Sequence, residues 1–163
     1  MADGIESNPN SVNIPMSPRR NEPGSFGIEF YPRNVSIMGQ AVVGILTQAL
    51  YEAYERDGLA PETARPSYDF PYVENEVVPP AFSVGIRITA VGNQTGDFVL
   101  TNRRVVYILS LMGFSLAHEK DLLNLKEYTF DVIVTRGDKP QVIIARGSLT
   151  NNDSPHPSRT SVQ

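Results

Sequence analysis

Val42-Val43-Gly44-Ile45-Leu46-Thr47 and Val105-Val106-Tyr107-Ile108-Leu109-Ser110 are two similar stretches, 63 residues apart, and they decide the fold class. Each opens a stripe of apolar residues at helical spacing. In the first, Val42, Ile45, Leu46, Ala49, Leu50 and Ala53 share one face of a helix expected over 37–57. In the second, Val105, Ile108, Leu109, Met112 and Leu116 do the same over 102–118. Ser36 and Thr101 stand where an N-cap hydroxyl can accept a first-turn amide, and Gly58 stands where the first helix should stop.

Between and around the helices the period changes from 3.6 to 2. Phe26, Ile28 and Phe30 alternate with Gly27, Glu29 and Tyr31, which predicts a strand over 26–31. Phe82, Val84, Ile86 and Ile88 alternate with Ser83, Gly85, Arg87 and Thr89 over 82–90. Tyr128, Phe130, Val132 and Val134 alternate with Thr129, Asp131 and Thr135 over 127–135. A hairpin through Arg136-Gly137-Asp138-Lys139 leads to a last strand over 140–149. Strands with one apolar and one polar side need cover on one side only. The expectation is therefore an α+β two-layer sandwich, with a mixed sheet of four to five strands and two helices on one face. The other face is left for water or a partner.

The chain has 163 residues, 40% of them hydrophobic, which suits one domain with a real core. Residues 1–24 and 151–163 are rich in Asn, Ser and Pro without an apolar period and read as disordered tails around a folded domain at 25–150. There is no cysteine, so disulfides, thiolate metal sites and a cysteine nucleophile are excluded. With two histidines and no paired acidic cluster, no metal site is expected. No glycine-rich phosphate loop is present, and no cofactor is expected. The net charge of −4 disfavours binding nucleic acid through its phosphates. No run approaches the length of a membrane span. The start, Met-Ala-Asp-Gly-Ile-Glu-Ser, lacks the basic and apolar pattern of a secretory signal. An intracellular protein is expected as written, and a secreted one if a leader has been removed.

Residues 58–81 carry five prolines and several apolar side chains, among them Tyr68, Phe70 and Tyr72. This reads as a long connection packed over the core, with an edge strand near 70–78 as an option. Arg103 and Arg104 open the second helix, where positive charge opposes the helix dipole. An anion site shared with first-turn amides is one reading; solvated arginines paired with carboxylates is the other. His118 suits a helix C-terminus without any catalytic role. Arg136-Gly137-Asp138 spells an adhesive tripeptide, but a tight hairpin favours Gly-Asp anyway. Ser17-Pro18-Arg19-Arg20 has the form of a proline-directed phosphorylation site at Ser17.

The order of elements, with Leu100-Thr101 opening the second helix, Leu111-Met112-Gly113-Phe114 within it and Arg146-Gly147-Ser148-Leu149 closing the last strand, resembles a group of small uncharacterised fungal proteins over about 26–149. The resemblance implies the same strand-helix-strand-helix-hairpin fold. It implies no activity and no catalytic residue.

No motif names a reaction. The leading expectation is a non-catalytic protein-interaction module, binding a protein partner or a second copy through the open sheet face or the 58–81 loop. Tyr31, Arg87, Arg103, Arg104, Tyr68 and Tyr72 are its candidate contacts. The alternative is an enzyme or small-ligand binder with a pocket under that loop. A third reading, single-stranded RNA on the sheet, needs exposed aromatics on two central strands, where this chain has Ser, Arg, Thr and Asp.

Overall fold

The computed structural model describes residues 11–19, 22–37, 39–73, 83–117 and 125–151. Its elements are β1 (Ser11–Arg19), β2 (Glu22–Ser36), α1 (Gly39–Leu59), β3 (Ser67–Val73), β4 (Ser83–Ala90), α2 (Asn102–Ala117), β5 (Lys126–Arg136) and β6 (Val142–Asn151). A single 3-10 turn at Gly96–Phe98 precedes α2. Four strands and both helices lie close to the positions their periodicity predicts.

The architecture is the α+β two-layer sandwich, with a sheet of six strands in the order β1-β2-β5-β6-β4-β3. Every neighbouring pair is antiparallel, where a mixed sheet is expected. The reason lies in strand placement. A strand-helix-strand crossover runs its two strands parallel, but they form a parallel hydrogen-bonded pair only if they sit side by side. Here β6 inserts between β4 and β5, the strands joined through α2. Likewise β2 pairs with β5 and β3 with β4, so the strands joined through α1 lie far apart.

Two further strands depart from the reading of composition. Ser11–Arg19 forms β1 beside β2, although the Asn/Ser/Pro-rich stretch 1–24 reads as a tail. The alternation Val12, Ile14, Met16 is present there but diluted by polar residues and Pro15. The optional edge strand is real and lies at 67–73, slightly ahead of its expected place. It carries Pro71 on the outermost strand, where a missing amide is tolerated.

The core lies between the helices and one face of the sheet. Phe26, Ile28 and Phe30 of β2, Phe130, Val132 and Val134 of β5, and Val84, Ile86 and Ile88 of β4 meet Ile45, Leu46 and Ala49 of α1 and Val105, Ile108, Leu109 and Met112 of α2. Burying one such side chain stabilises the fold by about 1.5–3 kcal/mol. Helix α1 lies over β3 and β4, and α2 over β1 and β2. A bulge in β6 shifts the register between Val132↔Ala145 and Ile133↔Ile143, which lets Ile144 and Ala145 both be buried.

Gly147 shows how tightly this face is filled. A Cβ there would collide with the Phe130 ring and lie 2.7 Å from the carbonyl oxygen of Arg87. Only glycine lets β6 pass between Phe130 and β4.

Ser36 ends β2 instead of capping α1. Its hydroxyl accepts from Lys126 Nζ (3.2 Å) and its carbonyl from Asn151 Nδ2 (2.8 Å). Thr101 does cap α2, accepting from the Arg104 amide at 3.3 Å.

Candidate functional site

The side chains that alternate away from the core form two rows across five strands. One row is Glu29, Asp131, Arg146, Thr89 and Ser67, each opposite the next on β2, β5, β6, β4 and β3. The row beside it is Tyr31, Thr129, Ser148, Arg87 and Asp69. Together they make a polar plane backed by the sheet.

The charges on this plane are held in place by cross-strand neighbours. Arg87 Nε donates to Asp69 Oδ1 at 2.7 Å, and Arg146 Nε donates to Asp131 Oδ1 at 3.2 Å. The Tyr31 hydroxyl donates to the other oxygen of Asp131 at 3.3 Å. Glu29 and Asp131 are like charges directly opposite, an arrangement that destabilises a strand pair by itself. Arg146 and Tyr31 offset it at Asp131. Partial desolvation, then the carboxylates of Glu29 and Asp131, push the Tyr31 phenol above its ordinary range. Tyr31 remains 45% exposed. Between the two ion pairs, Thr129, Ser148 and Thr89 supply a strip of hydroxyls.

At one end of the plane the alternation brings a carboxylate under cover. Glu127 shares the side of Thr129 and Asp131 yet is fully buried. One of its oxygens accepts the Asn151 amide at 2.7 Å, and the other lies 3.9 Å from Arg33 Nη1. This ties the end of β6 to β2 and β5.

Of the six expected contacts, Tyr31 and Arg87 do share this plane, in one row with two strands between them. Arg103, Arg104 and Tyr68 lie elsewhere, where the end of α1 meets the start of α2. Arg103 pairs with Asp57 (3.2 Å) and Glu62 (4.0 Å). Arg104 donates to the Val99 carbonyl (2.8 Å) and lies over the Phe26 ring (5.7 Å). The first-turn amides on which an anion site would draw are taken. Those of Asn102, Arg103, Arg104 and Val105 donate to Thr63, Pro61, the Thr101 hydroxyl and the Thr101 carbonyl. Arg103 is thus held by carboxylates at the surface, and Arg104, half-buried, by a backbone carbonyl and an aromatic ring.

Tyr68 is a core residue, 2% exposed, with Arg56 5.9 Å from its ring centroid. Tyr72 belongs to β3, opposite Val84, and its side chain lies outside the described residues, as does His118. Residues 74–81 of the long connection are also outside them, as is Phe82 at the start of the expected strand over 82–90. The stretch between α1 and β3, 60–66, is pinned to α2 through carbonyls 60, 61 and 63 and a bridge between Ala64 and Thr101. Ser17 falls in β1, where the register with β2 shifts between Met16 and Arg19. The adhesive tripeptide is not displayed, because Arg136 is buried and stacks on Gly24.

Asp69, Arg146 and Ser148 complete the plane and were not among the expected contacts. Their signal is present in the alternation of 67–70 and of 146–149, and it needs strand order to become visible. No family model matches this chain, and no curated protein or solved structure matches it either. No helix among the described residues is long and apolar enough to cross a membrane.

Proposed function

We propose that this protein is a non-catalytic interaction module whose contact surface is the open face of the sheet. The observation that carries this reading is the continuous polar plane across β2, β5, β6, β4 and β3, with its arginines already held by Asp69 and Asp131. Prior fixing of long side chains lowers the entropy lost when a partner docks. The hydroxyl strip between the ion pairs offers donors and acceptors without bulk, so a flat partner surface can approach closely. One aromatic side chain, Tyr31, lies in the two rows, which favours a protein surface over stacked bases.

The test is affinity capture from source extract with three baits: the unaltered chain, Thr129→Arg at the centre of the plane, and Tyr51→Arg on the solvent side of α1. Thr129 and Tyr51 are both exposed, so neither change disturbs the core. The reading expects the same proteins on the unaltered and Tyr51→Arg baits and their loss from Thr129→Arg. Retention of those proteins on Thr129→Arg would remove the open face as the contact surface.

A further inference from the structure

We infer that the occupant of the open face is a second copy of this chain, placed by a twofold axis that runs parallel to the strands between β5 and β6. The inference rests on the reading of that face as a contact surface. It comes from the order of charges along the two rows. In one row the sequence is acidic, acidic, basic, hydroxyl, hydroxyl: Glu29, Asp131, Arg146, Thr89, Ser67. In the other it is Tyr31, Thr129, Ser148, Arg87, Asp69.

A twofold contact presents the same patch on both copies, so the patch must complement itself. Turning the plane about an axis between β5 and β6 exchanges β5 with β6 and β2 with β4. Asp131 then faces the partner's Arg146, and Arg146 faces the partner's Asp131. Thr129 faces the partner's Ser148. Further out, Arg87 comes over the partner's Tyr31, a cation above an aromatic ring, and Glu29 meets the partner's Thr89. An axis along β6 itself would instead set Arg146 on the partner's Arg146.

Face-to-face sheets are rotated by about 30°, so pairings beside the axis are the best preserved. Asp131, Arg146, Thr129 and Ser148 are those residues. The existing Asp131–Arg146 pair (3.2 Å) becomes half of a four-membered ring of alternating charge.

Area and composition set the strength. The four strands that the axis exchanges, about 4.8 Å apart with about seven residues each, span a plane of about 450 Å². Stable standard interfaces bury about 800 Å² per partner, and permanent ones are more apolar. The pairing is accordingly reversible and salt-sensitive.

The experiment is sedimentation equilibrium of the full chain, from low micromolar to several hundred micromolar, for the unaltered protein, Asp131→Arg, Arg146→Asp, the two variants mixed, and both changes in one chain. The unaltered protein should dimerise, weakening roughly tenfold as salt rises from about 0.05 to 0.5 M. Each single reversal sets like charges across the axis and should weaken pairing at least about a hundredfold. Mixing the two variants places every positive charge against a negative one and should restore the dimer as a heterodimer, which a misfolded variant could not do. Both changes in one chain should restore the homodimer. Thr129→Arg beside the axis should abolish it independently.

A dimer that ignores both reversals and Thr129→Arg would overturn the inferred contact. Failure of the mixture to pair while each variant keeps its native circular dichroism would overturn the axis. A monomer at every concentration would exclude the second copy, and the open-face reading would then be decided by the Thr129→Arg capture alone.

Discussion

The Tyr68 hydroxyl donates a 2.6 Å hydrogen bond to Oδ1 of Asn102, and both residues are buried. The amide nitrogen of the same Asn102 side chain donates to the Ala60 carbonyl at 2.8 Å, and its backbone amide donates to Thr63 at 2.9 Å. One asparagine thus joins β3, the end of α1 and the first turn of α2. A buried polar side chain persists where its groups are satisfied, and here each has a partner.

Tyr68→Phe removes the donor and leaves the Asn102 oxygen desolvated without that bond. The expected cost is about 1–3 kcal/mol. Asn102→Ala removes both side-chain bonds and should cost more. Urea unfolding checks both. A Tyr68→Phe midpoint equal to that of the unaltered protein would show that the bond contributes nothing net.

Gly147→Ala places a methyl group against the Phe130 ring and the Arg87 carbonyl. Overpacking of this kind costs about 1–3 kcal/mol. Phe130→Leu alone opens space and is also destabilising. Combined, the two changes should cost less than the sum of their separate effects, because the shorter side chain vacates the volume the new Cβ needs. Thermal unfolding of the four proteins closes this cycle, and strict additivity would mean that the ring is not what excludes a side chain at 147.

Much of this fold is legible in the sequence because each helix and the strands β2, β4, β5 and β6 carry their own period. What the period does not contain is adjacency. Alternation assigns Arg87 and Asp131 to the polar side of their strands. It does not say that β6 separates those strands or that Arg146 lies beside Asp131. The antiparallel sheet and the charge order of the open face both follow from that insertion. Tyr68 misleads for the opposite reason. In a proline-rich connection an aromatic residue reads as a lid, and only pairing of 67–73 with β4 shows it to be core.

Arg87→Ala tests the worth of an exposed cross-strand pair. Both partners are more than half exposed, Arg87 at 70% and Asp69 at 57% of the side chain. Such pairs contribute about 0–1 kcal/mol. The variant should therefore unfold within about 1 kcal/mol of the unaltered chain while removing the cation proposed to face the partner's Tyr31. Urea unfolding beside sedimentation separates the two effects. A large loss of stability would show that Arg87 serves β3–β4 pairing before it serves any contact.

Alkaline pH should destabilise the fold through its tyrosines. Burial raises the Tyr128 and Tyr68 phenols above their ordinary value of 10.0, with nearby Arg65 and Arg56 partly offsetting the rise at Tyr68. Tyr128 packs edge-on against Phe30, with centroids 4.9 Å apart. Each phenol holds its proton more tightly in the folded chain than in the unfolded one. That contribution is fully present below pH 10, the unfolded value, and is lost as pH rises through the folded values. Urea midpoints should therefore fall above pH about 10, and the fall should be shallower in Tyr128→Phe, which has one phenol fewer to ionise on unfolding. Parallel pH profiles for the two proteins would show that Tyr128 does not carry this linkage.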